Sequence, residues 1–174
     1  GGATRVMAEN ILKEYGILGS VREVDLSFTE SVDAMKDRTL DGAFVLAGVP
    51  AAALVELATT QNALFLPIDA PQIEALLKKY PYYSRQTIPA RVYRGQDREV
   101  PSIGVENVLF ARADLDPELV YRVTRVIFSN LDYLVSIHPI AAQISASRAV
   151  VVPIPLHPGA ERYFREVGAL SGSR

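Results

Sequence analysis

Few residues in this chain have types and spacings that could do chemistry. There is no cysteine among its 174 residues. That excludes disulfides, thiolate metal sites and cysteine nucleophiles. The histidines are His138 and His157, 19 positions apart, and neither has a carboxylate at helical ligand spacing. Ser136 and His138 stand two apart, which on a helix turns them away from one another. Each histidine precedes a proline at a predicted helix boundary, where capping or exposure is the expected role. No Walker loop, G-x-S-x-G elbow or G-x-G-x-x-G fingerprint occurs. Neither a catalytic constellation nor a cofactor is therefore expected.

Two stretches suit binding instead. Gly1-Gly2-Ala3-Thr4 leads into an apolar helical stripe of Met7, Ile11 and Tyr15. Small residues let a ligand reach the backbone, and the first N–H groups of a helix are unpaired and partly positive. A carboxylate would be held there. The structural alternative is a tight turn in which Thr4 is an ordinary N-cap. The second stretch runs from Phe44 to Pro50. A buried strand would end at Gly48 and a helix would start with Pro50 at its first position. In open α/β sheets, ligands sit at such strand ends. A core phenylalanine followed by a turn glycine is the alternative. The tyrosines at 80, 82 and 83 could stack on a ligand or pack at a domain edge. Arg91, Arg94 and Arg98 are interleaved with Asp97 and Glu99, as in a solvated turn.

The elements that must position these stretches follow from periodicity and punctuation. The first helix stops at Gly16. Val21–Phe28, Asp41–Ala47 and Ala63–Ile68 read as short apolar strands. Thr29 would cap a helix over 30–37. Asp69 would cap, and Pro71 open, a helix ending near Tyr80. Alternating helices and apolar strands predict an α/β fold with a parallel sheet covered on both faces. Residues 82–101 read as extended crossing strands with a charged loop, and 102–112 as strand again. A long helix capped by Asp116, with Pro117 first, would run to about Ile137. Its expected buried stripe is Val120, Val123, Ile127, Leu131 and Leu134. A short helix over 140–144 and a last one from Pro158 to about Val167 complete the pattern.

Composition agrees with a globular chain. Lys and Arg total 18 against 20 Asp and Glu, a net charge of −2, which argues against non-specific nucleic-acid binding. The longest uncharged apolar stretch, Ala43–Val55, is interrupted by Gly48 and Pro50 and is too short to span a membrane.

Several stretches together carry a family resemblance. They include Asp41-Gly42-Ala43-Phe44, Ala47-Gly48-Val49-Pro50-Ala51-Ala52, Lys79-Tyr80-Pro81-Tyr82-Tyr83 and Tyr93-Arg94-Gly95-Gln96-Asp97. The most specific is Leu156-His157-Pro158-Gly159-Ala160-Glu161-Arg162-Tyr163. The chain resembles the TAXI family, the extracytoplasmic solute receptors of tripartite ATP-independent periplasmic (TRAP) transporters. The resemblance implies a two-lobed periplasmic-binding-protein-like (type II) α/β fold. Residues 1–90 would form the second lobe, and 91–174 the crossover strands and C-terminal helices returning to a first lobe whose main sheet lies upstream. A secretory signal is expected upstream too. The implied ligand is a small carboxylate or an amino acid such as glutamate, and the implied partner is a membrane permease. The implied binding residues are Gly2, Ala3, Thr4, Arg5, Phe44, Ala47 and Gly48. The family usually has Gly where Ala3 stands and Ser where Gly2 stands, so the contacts at this corner differ in detail. An intracellular ligand-sensing domain of a transcription regulator is the alternative with the same fold. A transferase on that fold would need a phosphate loop, which the sequence lacks.

Overall fold

Local capping chemistry sets most helix boundaries of the computed structural model, which describes residues 2–61 and 63–170. The chain divides into two compact units between Glu106 and Asn107. In the first, α1 spans Ala3–Glu14, α2 Phe28–Lys36, α3 Ala52–Thr60 and α4 Ala70–Lys79, followed by strands β1 (Tyr83–Ile88) and β2 (Val100–Val105). Helix α1 ends at Gly16, as its sequence predicts. The Gly16 N–H bonds the Lys13 carbonyl at 3.0 Å and the Ile17 N–H bonds the Leu12 carbonyl at 2.9 Å. These two bonds close a Schellman motif. Asp69 and Pro71 open α4 at the expected positions.

Helix α2 starts two residues earlier than expected, and its cap is Ser27, not Thr29. The Ser27 hydroxyl accepts from the Glu30 N–H at 3.2 Å, and the Glu30 carboxylate accepts from the Ser27 N–H at 2.7 Å. This reciprocal box satisfies two donors, where a Thr29 cap would satisfy one. Hydrogen bonding from Ser27, through its side chain and its backbone N–H, holds the Glu30 carboxyl below its usual range. Pro50 is not the first residue of α3. Ala51 is the N-cap and the helix begins at Ala52.

The sheet departs most from expectation. Among the described residues it has two strands, β1 and β2, paired antiparallel with Tyr83 opposite Val105 and Ile88 opposite Val100. Residues 21–27, 41–47 and 63–68 form no parallel ladder. The last of these makes one sheet-like bond, from the Ile68 N–H to the Pro101 carbonyl at 2.9 Å. A parallel sheet requires helical cover on both faces. Leu64 and Leu66 instead remain 83% and 74% exposed. The strand expected over 102–112 ends at Val105, the last residue of β2, rather than at Arg112. The mixed helix and strand content remains that of an α/β chain, with a small, open sheet.

The core of this unit gathers Met7 and Ile11 from α1, Ile73 and Leu76 from α4, Ile68, and Tyr83 and Ile103 from the sheet. A buried hydrogen bond from Asn10 Nδ2 to Tyr83 Oη, 2.9 Å, runs from α1 to β1. At the other end of α1, the Tyr15 hydroxyl donates to the Asp69 carboxylate at 3.0 Å and accepts from the Asp69 N–H at 2.9 Å. Tyr15 thus occupies the carboxylate that would otherwise cap α4. The loop between β1 and β2 folds around the buried Gln96. Its amide donates to the carbonyls of Pro89 and Arg98 at 2.9 and 2.8 Å. Tyr93 is buried, stacks on Phe65 at 4.8 Å and accepts the Ala51 N–H at 2.9 Å.

In the second unit, α5 spans Pro117–Ser129, α6 Leu131–Ile137, α7 Ala146–Ala149 and α8 Pro158–Glu166. Asp116 caps α5 as expected. The long helix is interrupted at Asn130, whose φ of −127° and ψ of 31° leave the helical range. Its amide bonds back to the Val126 carbonyl at 2.7 Å. This is the competition for backbone groups that disfavours Asn inside helices. The buried stripe is also turned relative to expectation. Val123 is 43% exposed, while Thr124 is buried and bonds the Val120 carbonyl. Residues 120, 124 and 128 lie on the inner face, where Phe128 packs with Tyr163 and Phe164 of α8.

Both histidines cap short structures, each through Nδ1. His138 accepts from the Ile140 N–H and His157 from the Gly159 N–H, both at 3.2 Å. Gly159 marks the closest approach of α8 to α5. A Cβ there would lie against the Pro117 carbonyl, 2.7 Å from the Tyr121 nitrogen and 3.0 Å from the Val120 Cβ.

Two outcomes follow from these contacts. Gly159→Ala must push α8 off α5, so chemical denaturation should register a loss of about 1–3 kcal/mol; an unchanged midpoint would show that the helices do not approach this closely. Tyr15→Phe removes both bonds to Asp69 and should cost about 1–2 kcal/mol by the same assay.

Candidate functional site

The start of α1 is an open, positively polarised corner. Gly2 occupies the N-cap with φ 75° and ψ −155°, a region open essentially to glycine alone. The first bond of the helix runs from the Val6 N–H to the Gly2 carbonyl at 3.2 Å. The N–H groups of Ala3, Thr4 and Arg5 therefore precede the ladder. No side chain caps this end, and its first turn holds no acidic residue. Thr4 consequently lies inside the first turn and is not the N-cap. Its hydroxyl makes no hydrogen bond among the described residues.

Arg5 adds a full positive charge in the same turn. Its guanidinium bonds Glu9 one turn along at 2.9 Å and Asp25 at 2.6 Å, with Glu23 at 3.7 Å. The hydrogen bond from Arg5, joined by Lys13, holds the Glu9 carboxyl below its usual range. Glu23 and Asp25 were not legible as partners of this corner. Their alternation with Val24 and Leu26 reads as a strand, and nothing local says which cation they meet.

The Phe44–Gly48 stretch is placed differently from expectation. Phe44 is 43% exposed, and Ala47 and Gly48 are exposed too. The segment carries no strand ladder among the described residues. Leu46, between them, packs against the cluster that contains Met7 and Ile11. The two predicted stretches thus meet the same core. No hydrogen bond or ring contact joins Thr4 to Phe44 or Gly48 among the described residues.

A concavity of about 490 Å³ lies at the C-terminal end of α3 and is lined by Thr59, Thr60, Gln61, Ala63, Arg94 and Gly95. Arg94 donates to the Thr59 carbonyl at 3.2 Å, so its charge answers the negative end of that helix. Among the described residues, no three His, Asp or Glu side chains are grouped to hold a metal ion. No helix there is long and apolar enough to cross a membrane.

The chain belongs to the NMT1-like family, whose model matches residues 1–168. That family comprises periplasmic solute-binding-like proteins and includes the TAXI receptors of TRAP transporters. Its members point in general to extracytoplasmic binding of a small-molecule solute.

Proposed function

We propose that this chain is a TAXI-type receptor that binds a small carboxylate or an amino acid such as glutamate and delivers it to a TRAP permease outside the cytoplasm. The observation that carries the reading is the start of α1. Its free N–H groups at Ala3, Thr4 and Arg5 coincide with a cationic side chain and an unengaged hydroxyl. Oriented N–H groups and a guanidinium form charge-assisted hydrogen bonds to a carboxylate. Gly2 keeps the approach clear of side chains. Phe44, Ala47 and Gly48 supply the neighbouring wall of the site. The two-lobed type II architecture belongs to this reading, with 1–90 as the second lobe and 91–174 returning to the first. So does binding and release without a chemical step, without a cofactor and without nucleic acid.

Calorimetric titration with glutamate and a panel of amino and dicarboxylic acids tests the reading. A hydrogen bond to a charged group contributes about 1.5–3 kcal/mol, so Thr4→Ala should weaken binding roughly 10- to 100-fold. The ligand-free melting temperature should barely move, since Thr4 is not the cap. Equal affinity of wild type and Thr4→Ala would remove this corner from the site. No binding of any acid by the wild type would overturn the reading.

A further inference from the structure

The concavity at the end of α3 is built by a loop that grips that helix at both ends. At the start of α3, the Tyr93 hydroxyl accepts the Ala51 N–H at 2.9 Å. At its end, the Arg94 guanidinium donates to the Thr59 carbonyl at 3.2 Å. Arg94 and Gly95 form the tip of a tight turn, closed by the Gln96 N–H on the Tyr93 carbonyl at 3.1 Å. Both flanks of that tip are fixed. Tyr93 is buried and stacked on Phe65, and the buried Gln96 amide is engaged by the Pro89 and Arg98 carbonyls. Arg94 is thus presented from a rigid support, as a binding group requires. A Cβ at Gly95 would meet nothing within 4 Å, so the turn leaves the space before it open.

The helix side of the concavity is rich in acceptors. The Thr59 and Thr60 hydroxyls donate back to the Val55 and Glu56 carbonyls at 2.7 and 2.9 Å. Each hydroxyl has thereby used its proton, and its oxygen keeps acceptor capacity. Among the described residues, no hydrogen bond reaches the Ala58 or Thr60 carbonyl, two of the orphan acceptors of the helix end. That end carries partial negative charge and favours a cation. Arg94 places one N–H there, and its other guanidinium N–H groups suit a carboxylate. The enclosed space, about 490 Å³, is within the range of small-molecule sites. Its two sides call for opposite charges on one ligand: an anionic group for Arg94 and charged N–H donors for the helix end.

We propose that this concavity is a binding site, separate from the start of α1, for a compact zwitterion with a primary ammonium group, of the class of a neutral α-amino acid. Arg94 holds the carboxylate. The Ala58 and Thr60 carbonyls and the threonine hydroxyl oxygens accept from the ammonium. A carboxylate without an ammonium leaves those acceptors unpaired, and a quaternary ammonium has no N–H to give them. A second carboxylate, as in glutamate, meets the negative end of the helix.

The test is an amide ¹⁵N–¹H titration of the full chain with l-glutamine, with l-glutamate, acetate and glycine betaine as comparison probes. Added l-glutamine should give saturable shifts at Gln61, Ala63 and Gly95. The same amides should respond to l-glutamate about two- to fivefold more weakly, the size of a helix-end effect. They should respond to acetate and to glycine betaine at least roughly tenfold more weakly, since neither supplies an ammonium N–H. Arg94→Gln should weaken l-glutamine at these amides roughly 10- to 100-fold, the loss of a hydrogen bond to a charged group. Thr4→Ala should leave them unchanged. If Arg94→Gln disturbs the spectrum beyond the concavity, Arg94→Lys replaces it; this variant keeps the charge without the planar fork and should weaken l-glutamine to a smaller degree. Three results overturn the proposal: no saturable shift at Gln61, Ala63 and Gly95 with l-glutamine, equal affinity of the folded Arg94 variant and the wild type, or saturation by acetate or glycine betaine at the same concentrations as l-glutamine.

Discussion

Burial of the inner stripe of α1 is the constraint on which the first unit depends. Met7 and Ile11 enter a cluster with Ile73 and Leu76 of α4 and with Tyr83 and Ile103 of the sheet. Hydrophobic burial alone would allow the helix to slide or rotate, because it has no direction. Two polar contacts remove that freedom. Asn10 meets Tyr83 within the core, and Tyr15 meets Asp69 at the C-terminal end. With the inner face and the far end held, the N-terminal end is left uncapped and Arg5 faces outward. The chemistry of the corner is thus a product of packing elsewhere in the helix.

The second unit rests on a comparable contact of different character. Gly159 lets α8 approach α5 closely, and aromatic side chains fill the remaining space. The Arg162 guanidinium lies 3.6 Å from the Tyr121 ring centroid, and it bonds Glu118 at 2.8 Å. The Glu118 carboxyl is held below its usual range by Arg162 and Arg122. The Leu-His-Pro-Gly-Ala-Glu-Arg-Tyr stretch therefore has a structural account. His157 caps, Pro158 opens the helix, Gly159 permits the approach, and Arg162 and Tyr163 fasten it.

Helix ends were legible wherever the controlling chemistry was local. Gly16, Asp69 with Pro71, Asp116 with Pro117, and His157 with Pro158 all stand where the sequence places them. Ser27 displaced Thr29 because a box needs the glutamate three residues on, a pairing that could have been seen. Asn130 could have been seen too, as a competitor for helix backbone. The sheet was not legible, because apolar alternation identifies extended chain and not its partner. Leu64 and Leu66 alternate properly and still find no cover. The site divides along the same line. The free N–H groups at Ala3 to Arg5 follow from local helix geometry, whereas the approach of Glu23 and Asp25 is a tertiary event that spacing cannot disclose.

The central claim is that the uncapped start of α1 receives the carboxylate of the solute. The most direct measurement is the amide ¹⁵N–¹H spectrum of the full chain as glutamate is added. The account predicts saturable shifts, largest at the N–H groups of Ala3, Thr4 and Arg5. Saturable shifts confined elsewhere, for instance to Thr60, Arg94 and Gly95 around the concavity at the end of α3, would contradict it.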